Sequence, residues 1–136
     1  MVHSIEVQSD VLVSLISHAR RDPRIECCGL LAGRPGTITR AYPAENVASN
    51  PTTAYEIATE EIVHLAREIR TAGLELLGIY HSHPNGKGDP SATDIAGVGY
   101  PDAAYFIISL RPDVEASVRA FSIRDGQVAE LELVLV

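Results

Sequence analysis

"HSHPNGKGDPSATD", residues 81–94, holds two histidines, two aspartates and several turn-forming residues in a short span. The Pro, Asn and Gly residues between positions 84 and 90 predict a chain reversal. Ser91 and Asp94 have the spacing of a capping box at the start of a short helix. A surface loop would show the same features. The stretch alone therefore leaves two interpretations open, a surface loop and a metal site.

The whole chain has the size and composition of one globular domain. Of its 136 residues, 46% are hydrophobic and 21% are charged, which is typical of a folded protein. The net charge is −7, with only 11 basic residues. Because nucleic-acid-binding proteins cluster Lys and Arg, this balance argues against such a partner. We predict a single domain over residues 1–136.

The chain shows no sign of export or membrane insertion. No apolar stretch approaches the roughly 20 residues that span a bilayer, and the N-terminal residues lack the basic-then-apolar layout of a signal peptide. The two cysteines, Cys27 and Cys28, are adjacent, so they are poorly placed to form a disulfide with each other. These features predict a cytoplasmic protein without membrane contact.

Hydrophobic periodicity predicts strands and helices in mixed order. One helix is expected after an N-cap at Ser9 or Asp10, and a second from Thr59 to a C-terminal cap at Gly73. Asp125-Gly126 predicts a hairpin turn between the last two strands. The strands are predicted at 4–8, 27–34, 37–43, 74–83, 104–110, 116–123 and 128–136. This order indicates an α+β protein with an antiparallel C-terminal end.

His81 and His83 lie two residues apart at the end of a predicted strand. Side chains at this spacing leave a strand on the same face, so both imidazoles can reach one ion. The predicted turn and helix start bring Asp94 back towards them. Two His and one carboxylate, with a fourth position for water, are typical of a catalytic zinc site. A strand His or a Ser-x-x-Asp sequence is usually only structural, so the prediction depends on their combination.

Together with an upstream stretch, these residues resemble the signature of the JAMM (MPN-plus) metalloproteases. That signature is a Glu followed later by His-[Ser/Thr]-His, seven residues and Ser-x-x-Asp. Here it corresponds to Glu26, His81-Ser82-His83, residues 84–90 and Ser91-Ala92-Thr93-Asp94. "ECCGLLAG", residues 26–33, is also similar to the family's stretch after the Glu. The resemblance extends from about Glu26 to the C-terminal strands.

The resemblance implies a fold and a set of roles. The expected fold is the α+β, cytidine-deaminase-like or MPN fold, a mixed curved sheet flanked by two longer helices and a short helix at the metal site. One Zn²⁺ per chain would be bound by His81, His83 and Asp94. Glu26 matches the general acid/base, and Ser91 matches the residue that helps to hold the oxyanion.

The resemblance also implies a substrate class. Members of the family cleave a peptide or isopeptide bond at the C-terminal tail of a ubiquitin-like protein, and this chain is similar to compact prokaryotic members that act on sulfur-carrier proteins. The segment 44–58, with Asn46, Pro51 and Tyr55, is expected to form part of the tail groove; a plain surface crossover is an equal alternative. A homodimer is left open.

Three other interpretations are weaker. A catalytically silent MPN scaffold that binds partner proteins would typically have lost ligands, and none is lost here. A zinc deaminase would need His-x-Glu and Pro-Cys-x-x-Cys, and neither occurs in the chain. Cys27 and Cys28 as further zinc ligands are disfavoured, because the set of two His and one Asp is complete; both are expected to be buried strand cysteines.

Overall fold

Seven strands and three helices form the part of the chain that the computed structural model describes, residues 3–111 and 114–136. In chain order they are β1 (Ser4–Val7), α1 (Ser9–Arg21), β2 (Cys28–Arg34), β3 (Thr37–Ala44), α2 (Thr59–Thr71), β4 (Glu75–His83), α3 (Ala92–Ala96), β5 (Ala104–Ser109), β6 (Ser117–Arg124) and β7 (Gln127–Leu135). All predicted elements are present, with ends shifted by one residue or two. The prediction of the first N-cap was wrong: the helix already begins at Ser9, and Gln8 is the N-cap.

The α+β class is confirmed, but the closure of the expected mixed curved sheet was not predicted. Its strands close into a barrel in the order β1-β3-β2-β4-β5-β6-β7. Closure depends on β1, which pairs in parallel with β3 on one side and with β7 on the other. The alternation of apolar residues in β1 predicts a strand without specifying its neighbours, because pairing between distant segments leaves no local pattern.

Apolar side chains form two clusters on opposite faces of the central strands. The first contains residues from all seven strands together with Val11, Leu15 and Ala19 of α1. The second packs Leu65 and Ile69 of α2 against the other face. Strands β2 and β5 are therefore buried on both faces, which explains their continuous apolar sequences. In the described part of the chain, no helix has the length and apolarity to cross a membrane.

Strand β4 lies at the centre of this arrangement and carries the two histidines. It pairs antiparallel with β2 and parallel with β5. Ile79 belongs to the cluster on the α2 face, whereas Tyr80 belongs to the cluster on the α1 face. Because side chains alternate along a strand, His81 and His83 share the face of Ile79. The hairpin turn at the end of the chain is confirmed by positive φ angles at Asp125 and Gly126.

Candidate metal centre

The end of β4 brings two imidazole nitrogens together. His81 is buried, and the His83 side chain is 11% exposed. Their Nε2 atoms lie 3.1 Å apart. Ser82, between them, points to the opposite face, where its Oγ accepts a hydrogen bond from the Cys27 backbone N–H at 2.9 Å. Both histidines thus lie on the same face of β4, as predicted.

Asp94 reaches the same point from the start of α3. Its Oδ2 lies 3.2 Å from His81 Nε2 and 3.0 Å from His83 Nε2. The position of the carboxylate is set by a capping box with Ser91: the Ser91 N–H donates to Asp94 Oδ2 at 2.9 Å, and the Asp94 N–H donates to Ser91 Oγ at 3.0 Å. The local capping pattern therefore also aims Asp94 at the histidines.

These three side chains fit a zinc ion. They form a group of possible metal ligands whose donor atoms all lie within 4.8 Å of one another. A tetrahedral zinc ion with bonds of about 2.0 Å separates its ligand atoms by about 3.3 Å. The observed separations of 3.1, 3.2 and 3.0 Å are close to that value. The donor set is that of catalytic zinc sites, in which three protein ligands leave one position open.

Contacts behind the ligands fix the two imidazole rings. His83 Nδ1 donates to the Lys87 carbonyl at 2.7 Å, which leaves Nε2 as the atom for a metal ion. The His81 ring stacks on Tyr55, with centroids 4.4 Å apart and planes inclined by 18°. His81 Nδ1 is buried and has no hydrogen-bond partner among the described residues.

The electrostatics favour the metal-binding protonation states of Asp94 and His81, but not that of His83. Burial alone would raise the pKa of the Asp94 carboxyl, but hydrogen bonds from His81 and His83 outweigh it and hold that pKa well below its usual range. Burial lowers the pKa of His81, against the opposing effect of Asp94. The pKa of the less buried His83 is raised, because hydrogen bonds to Asp94 and to the Lys87 carbonyl outweigh burial. An ionised carboxylate and a neutral imidazole are the forms that coordinate a metal ion.

Glu26 lies beside this cluster although it is far away in sequence. The register that pairs Cys28 with His81 places the residues before β2 next to the end of β4. Glu26 is 5% exposed, and its Oε1 has no hydrogen-bond partner in the described part of the chain. Burial raises the pKa of its carboxyl to about 7; His83 opposes this shift and Asp94 adds to it. A buried carboxyl whose pKa lies near neutrality is suited to proton transfer.

Segment 44–58 packs against the backbone of Glu26, and one side chain organises it. Asn46 Nδ2 donates to the carbonyls of Glu26 and Ala54, both at 2.9 Å. Asn46 Oδ1 accepts from the N–H groups of Ala48 and Glu56, at 2.9 and 3.1 Å. Asn46 was expected to form part of the tail groove, and its Asn-, Pro-, Ser- and Thr-rich context predicts a loop, but nothing in the sequence signals its hydrogen bond to the Glu26 carbonyl.

A cavity of about 260 Å³ opens between this segment and α3. Thr93 and Asp94 line its edge next to the histidines, and its walls are mainly apolar. The apolar and aromatic side chains that line it are Leu30, Tyr55, Ile57, Ile62, Ile79, Tyr100 and Tyr105. Segment 44–58 thus contributes Tyr55, Glu56 and Ile57 to one wall of a cavity beside the candidate metal centre.

The two cysteines lie in the β2 region and are buried and free. Burial raises the pKa of both thiols, that of Cys28 to about 12. The group of possible metal ligands found among the described residues does not include them. Thiols that stay protonated in this way are poor zinc ligands.

Comparison with known proteins identifies relatives of the chain. Residues 8–124 match the family described as prokaryotic homologs of the JAB domain. A desampylase of Haloferax volcanii is 41% identical over 111 residues, which are 77% of this chain and 80% of the relative. A CysO-cysteine peptidase of Mycobacterium tuberculosis is 34% identical over 131 residues, covering 95% of this chain and 89% of the relative.

Solved structures match the fold along almost the whole chain. A solution structure from Desulfitobacterium hafniense has a TM-score of 0.86 and 30% identity, covering 97% of this chain and 92% of that one. A JAB1/MPN domain protein from Archaeoglobus fulgidus has a TM-score of 0.65 at 20% identity, covering 96% and 99%. The architecture is therefore that of JAB1/MPN domains.

Proposed function

Because the chain belongs to the family of prokaryotic homologs of the JAB domain, we propose that it is a zinc-dependent hydrolase acting on the C-terminal tail of a ubiquitin-like or sulfur-carrier protein. The bond cleaved is a peptide or isopeptide bond. The observation that carries the proposal is the convergence of His81, His83 and Asp94 beside the buried carboxyl of Glu26. The names of the relatives, a desampylase and a CysO-cysteine peptidase, support the substrate class.

Each residue has a role that follows from its surroundings. His81, His83 and Asp94 would hold the zinc ion, which when bound would supply a Lewis acid that lowers the pKa of water towards about 7. Glu26 accepts a proton from the attacking water and passes it to the leaving amine. A carboxyl whose pKa lies at about 7 can both take and return a proton near neutrality. Its Oε1 has no competing hydrogen-bond partner among the described residues.

Ser91 supplies a hydrogen bond to the developing oxyanion. Its Oγ accepts from the Asp94 N–H, and this contact uses an oxygen lone pair and leaves the hydroxyl proton for donation. Ser91 is thus a helix cap and an oxyanion donor at once. One such donor contributes about 3 kcal/mol to transition-state stabilisation.

The tail enters along segment 44–58 and places a side chain in the neighbouring cavity. An extended peptide offers alternating side chains to pockets of this kind. The walls contributed by Ile57, Tyr100 and Tyr105 are apolar or aromatic, so they favour an apolar residue of the tail near the scissile bond. We place this reaction in the cytoplasm.

Mass spectrometry of a tail-extended β-grasp carrier protein incubated with the zinc-loaded enzyme tests the proposal. We expect the wild type to shorten the tail, and Glu26→Gln to retain one zinc per chain while cleaving about 100- to 10,000-fold more slowly. Glu60→Gln, on the exposed surface of α2, is the matched control and should cleave at the wild-type rate.

Two outcomes would contradict the proposal. Equal rates for Glu26→Gln and the wild type would remove Glu26 from the mechanism. A wild type that binds no zinc and cleaves nothing would favour the scaffold interpretation instead.

A further inference from the structure

We propose that Arg119 is a positioning residue for the zinc ligand His83, which it holds in place by clamping the metal-site loop, residues 84–90, to β6. The inference rests on the metal centre of the proposed function. It concerns a side chain on a different strand from the ligands, outside the sequence signature.

The backbone of the metal-site loop determines how His83 is oriented. The Lys87 carbonyl accepts from His83 Nδ1 at 2.7 Å. Gly86 packs against the same side chain, since a Cβ at this position would lie 3.2 Å from His83 Cβ. A shift of the loop would therefore move the hydrogen bond that sets the direction of Nε2. Such supporting contacts are known to alter metal affinity.

The loop has no helix or strand of its own between Pro84 and Pro90, and two side chains of the barrel hold it. Ser109 Oγ, at the end of β5, donates to the Gly86 carbonyl at 2.7 Å. Arg119 Nη1 donates to Asp89 Oδ1 at 2.9 Å. A Cβ at Gly88 would lie 3.2 Å from Arg119 Cδ, so the loop backbone is enclosed between His83 and Arg119.

Arg119 is itself fixed in place. Its Nε and Nη2 donate to the two carboxylate oxygens of Glu130 on β7, at 2.9 and 2.8 Å. The guanidinium carbon lies 5.1 Å from the centroid of the Phe121 ring. A single exposed ion pair contributes little to stability. A planar guanidinium that is already held by Glu130 and Phe121, however, loses less side-chain entropy when it also binds Asp89.

Zinc affinity, measured by competition with a chromophoric chelator, provides the first test. We expect Arg119→Met to weaken zinc binding about tenfold, at the lower end of the effects seen for contacts behind metal ligands. Arg124→Met is the matched control: Arg124 lies on the same strand and pairs with Asp102 instead, so zinc affinity should not change. Asp89→Asn should reproduce the loss, and the double variant should lose little more, because both changes break one interaction.

Proteolysis of the metal-free protein provides a second test that does not depend on zinc. Lys87 is the only lysine in the chain and is exposed. A lysine-specific endoprotease therefore cuts only in the metal-site loop. Arg119→Met and Asp89→Asn should be cut faster than the wild type and Arg124→Met, with the same midpoint of thermal unfolding.

The outcomes separate this inference from the proposed function. The proposed clamp would be overturned if both Arg119→Met and Asp89→Asn bound zinc as tightly as the wild type and were cut in the loop at the wild-type rate. An equal loss of zinc affinity in Arg124→Met would overturn it too, since the effect would then be general. A wild type that binds no zinc would overturn the proposed function, while the protease assay would still decide whether Arg119 holds the loop.

Discussion

The two faces of β4 differ in how their buried polar groups are satisfied. On the α1 face, the Tyr80 hydroxyl and His18 Nδ1 are hydrogen-bonded at 2.8 Å, and Ser82 Oγ accepts from the Cys27 N–H. On the α2 face, His81 Nδ1 and Glu26 Oε1 are buried without a partner among the described residues. The buried polar groups named here are thus hydrogen-bonded on the α1 face, whereas two on the α2 face have no partner within the part of the chain that the structure describes.

This difference supports the proposed location of the active site. Buried polar groups are nearly always hydrogen-bonded in folded proteins, so an exception calls for a functional explanation. Two of the exceptions, Glu26 Oε1 and His81 Nδ1, lie together beside the candidate metal centre and its cavity, and a third, the Tyr42 hydroxyl, lies on β3. Changes on the two faces should consequently have different effects: loss of zinc binding or of tail cleavage on the α2 face, and loss of stability alone on the α1 face.

The largest effect is expected on the α2 face, for Asp94→Asn. The amide keeps the size of the side chain but removes the negative charge that binds the metal ion. We expect zinc affinity to fall by more than about 100-fold, beyond the effect of contacts behind the ligands, and tail cleavage to be lost. Chelator competition and mass spectrometry measure the two quantities. Zinc binding as tight as that of the wild type would show that Asp94 is not a ligand.

The pH dependence of stability tests whether Glu26 is protonated in the folded, metal-free protein. The pKa of its carboxyl is about 7 in the folded state, against 4.5 for the free group. The folded state therefore binds more protons than the unfolded state between these pH values, and the stability due to Glu26 is lost as pH rises from about 4.5 to about 7. The full loss is about 3 kcal/mol.

Urea unfolding of wild type and Glu26→Gln at pH 5 and pH 8 measures this effect, after treatment of both proteins with chelator. The variant lacks the titrating group, so its stability relative to the wild type should increase between the two pH values. Titrating groups that do not interact with Glu26 are common to both proteins and cancel in the difference. If the difference in unfolding free energy between the two proteins were the same at pH 5 and pH 8, the pKa of Glu26 would not be raised.

A smaller effect is expected when the cavity on the α2 face is filled. Gly99 lines the cavity, and a Cβ placed there meets nothing within 4 Å. We expect Gly99→Leu to raise the KM for the tail substrate about tenfold, which corresponds to about 1.4 kcal/mol, with unchanged zinc affinity. Steady-state kinetics measures the change. An unchanged KM would place the tail elsewhere.

The smallest effect is expected on the α1 face, for Tyr80→Phe. The change removes one buried hydroxyl and leaves His18 Nδ1 without that partner, which should cost about 1 kcal/mol of unfolding free energy. Zinc affinity and tail cleavage per folded molecule should equal those of the wild type. A loss of activity at full stability would contradict the division between the two faces.

Local patterns predicted the parts of the site that lie close together in sequence. His81 and His83 share a face because strand side chains alternate, and Ser91 and Asp94 form the capping box that their spacing indicates. The hairpin at Asp125-Gly126 follows from the preference of that pair for positive φ. Glu26 was assigned only through its resemblance to the JAMM signature, since a Glu before a strand carries no local signal of its own.

The sequence by itself determined the strands, the helices and the convergence of His81, His83 and Asp94, because these depend on interactions between near neighbours. The tertiary structure alone decided that β1 closes the barrel, that Glu26 lies beside the histidines, and that Arg119 contacts the metal-site loop. Each of these contacts joins segments far apart in the chain. Such contacts depend on which surfaces the whole fold brings together, and this leaves no periodic trace in the sequence.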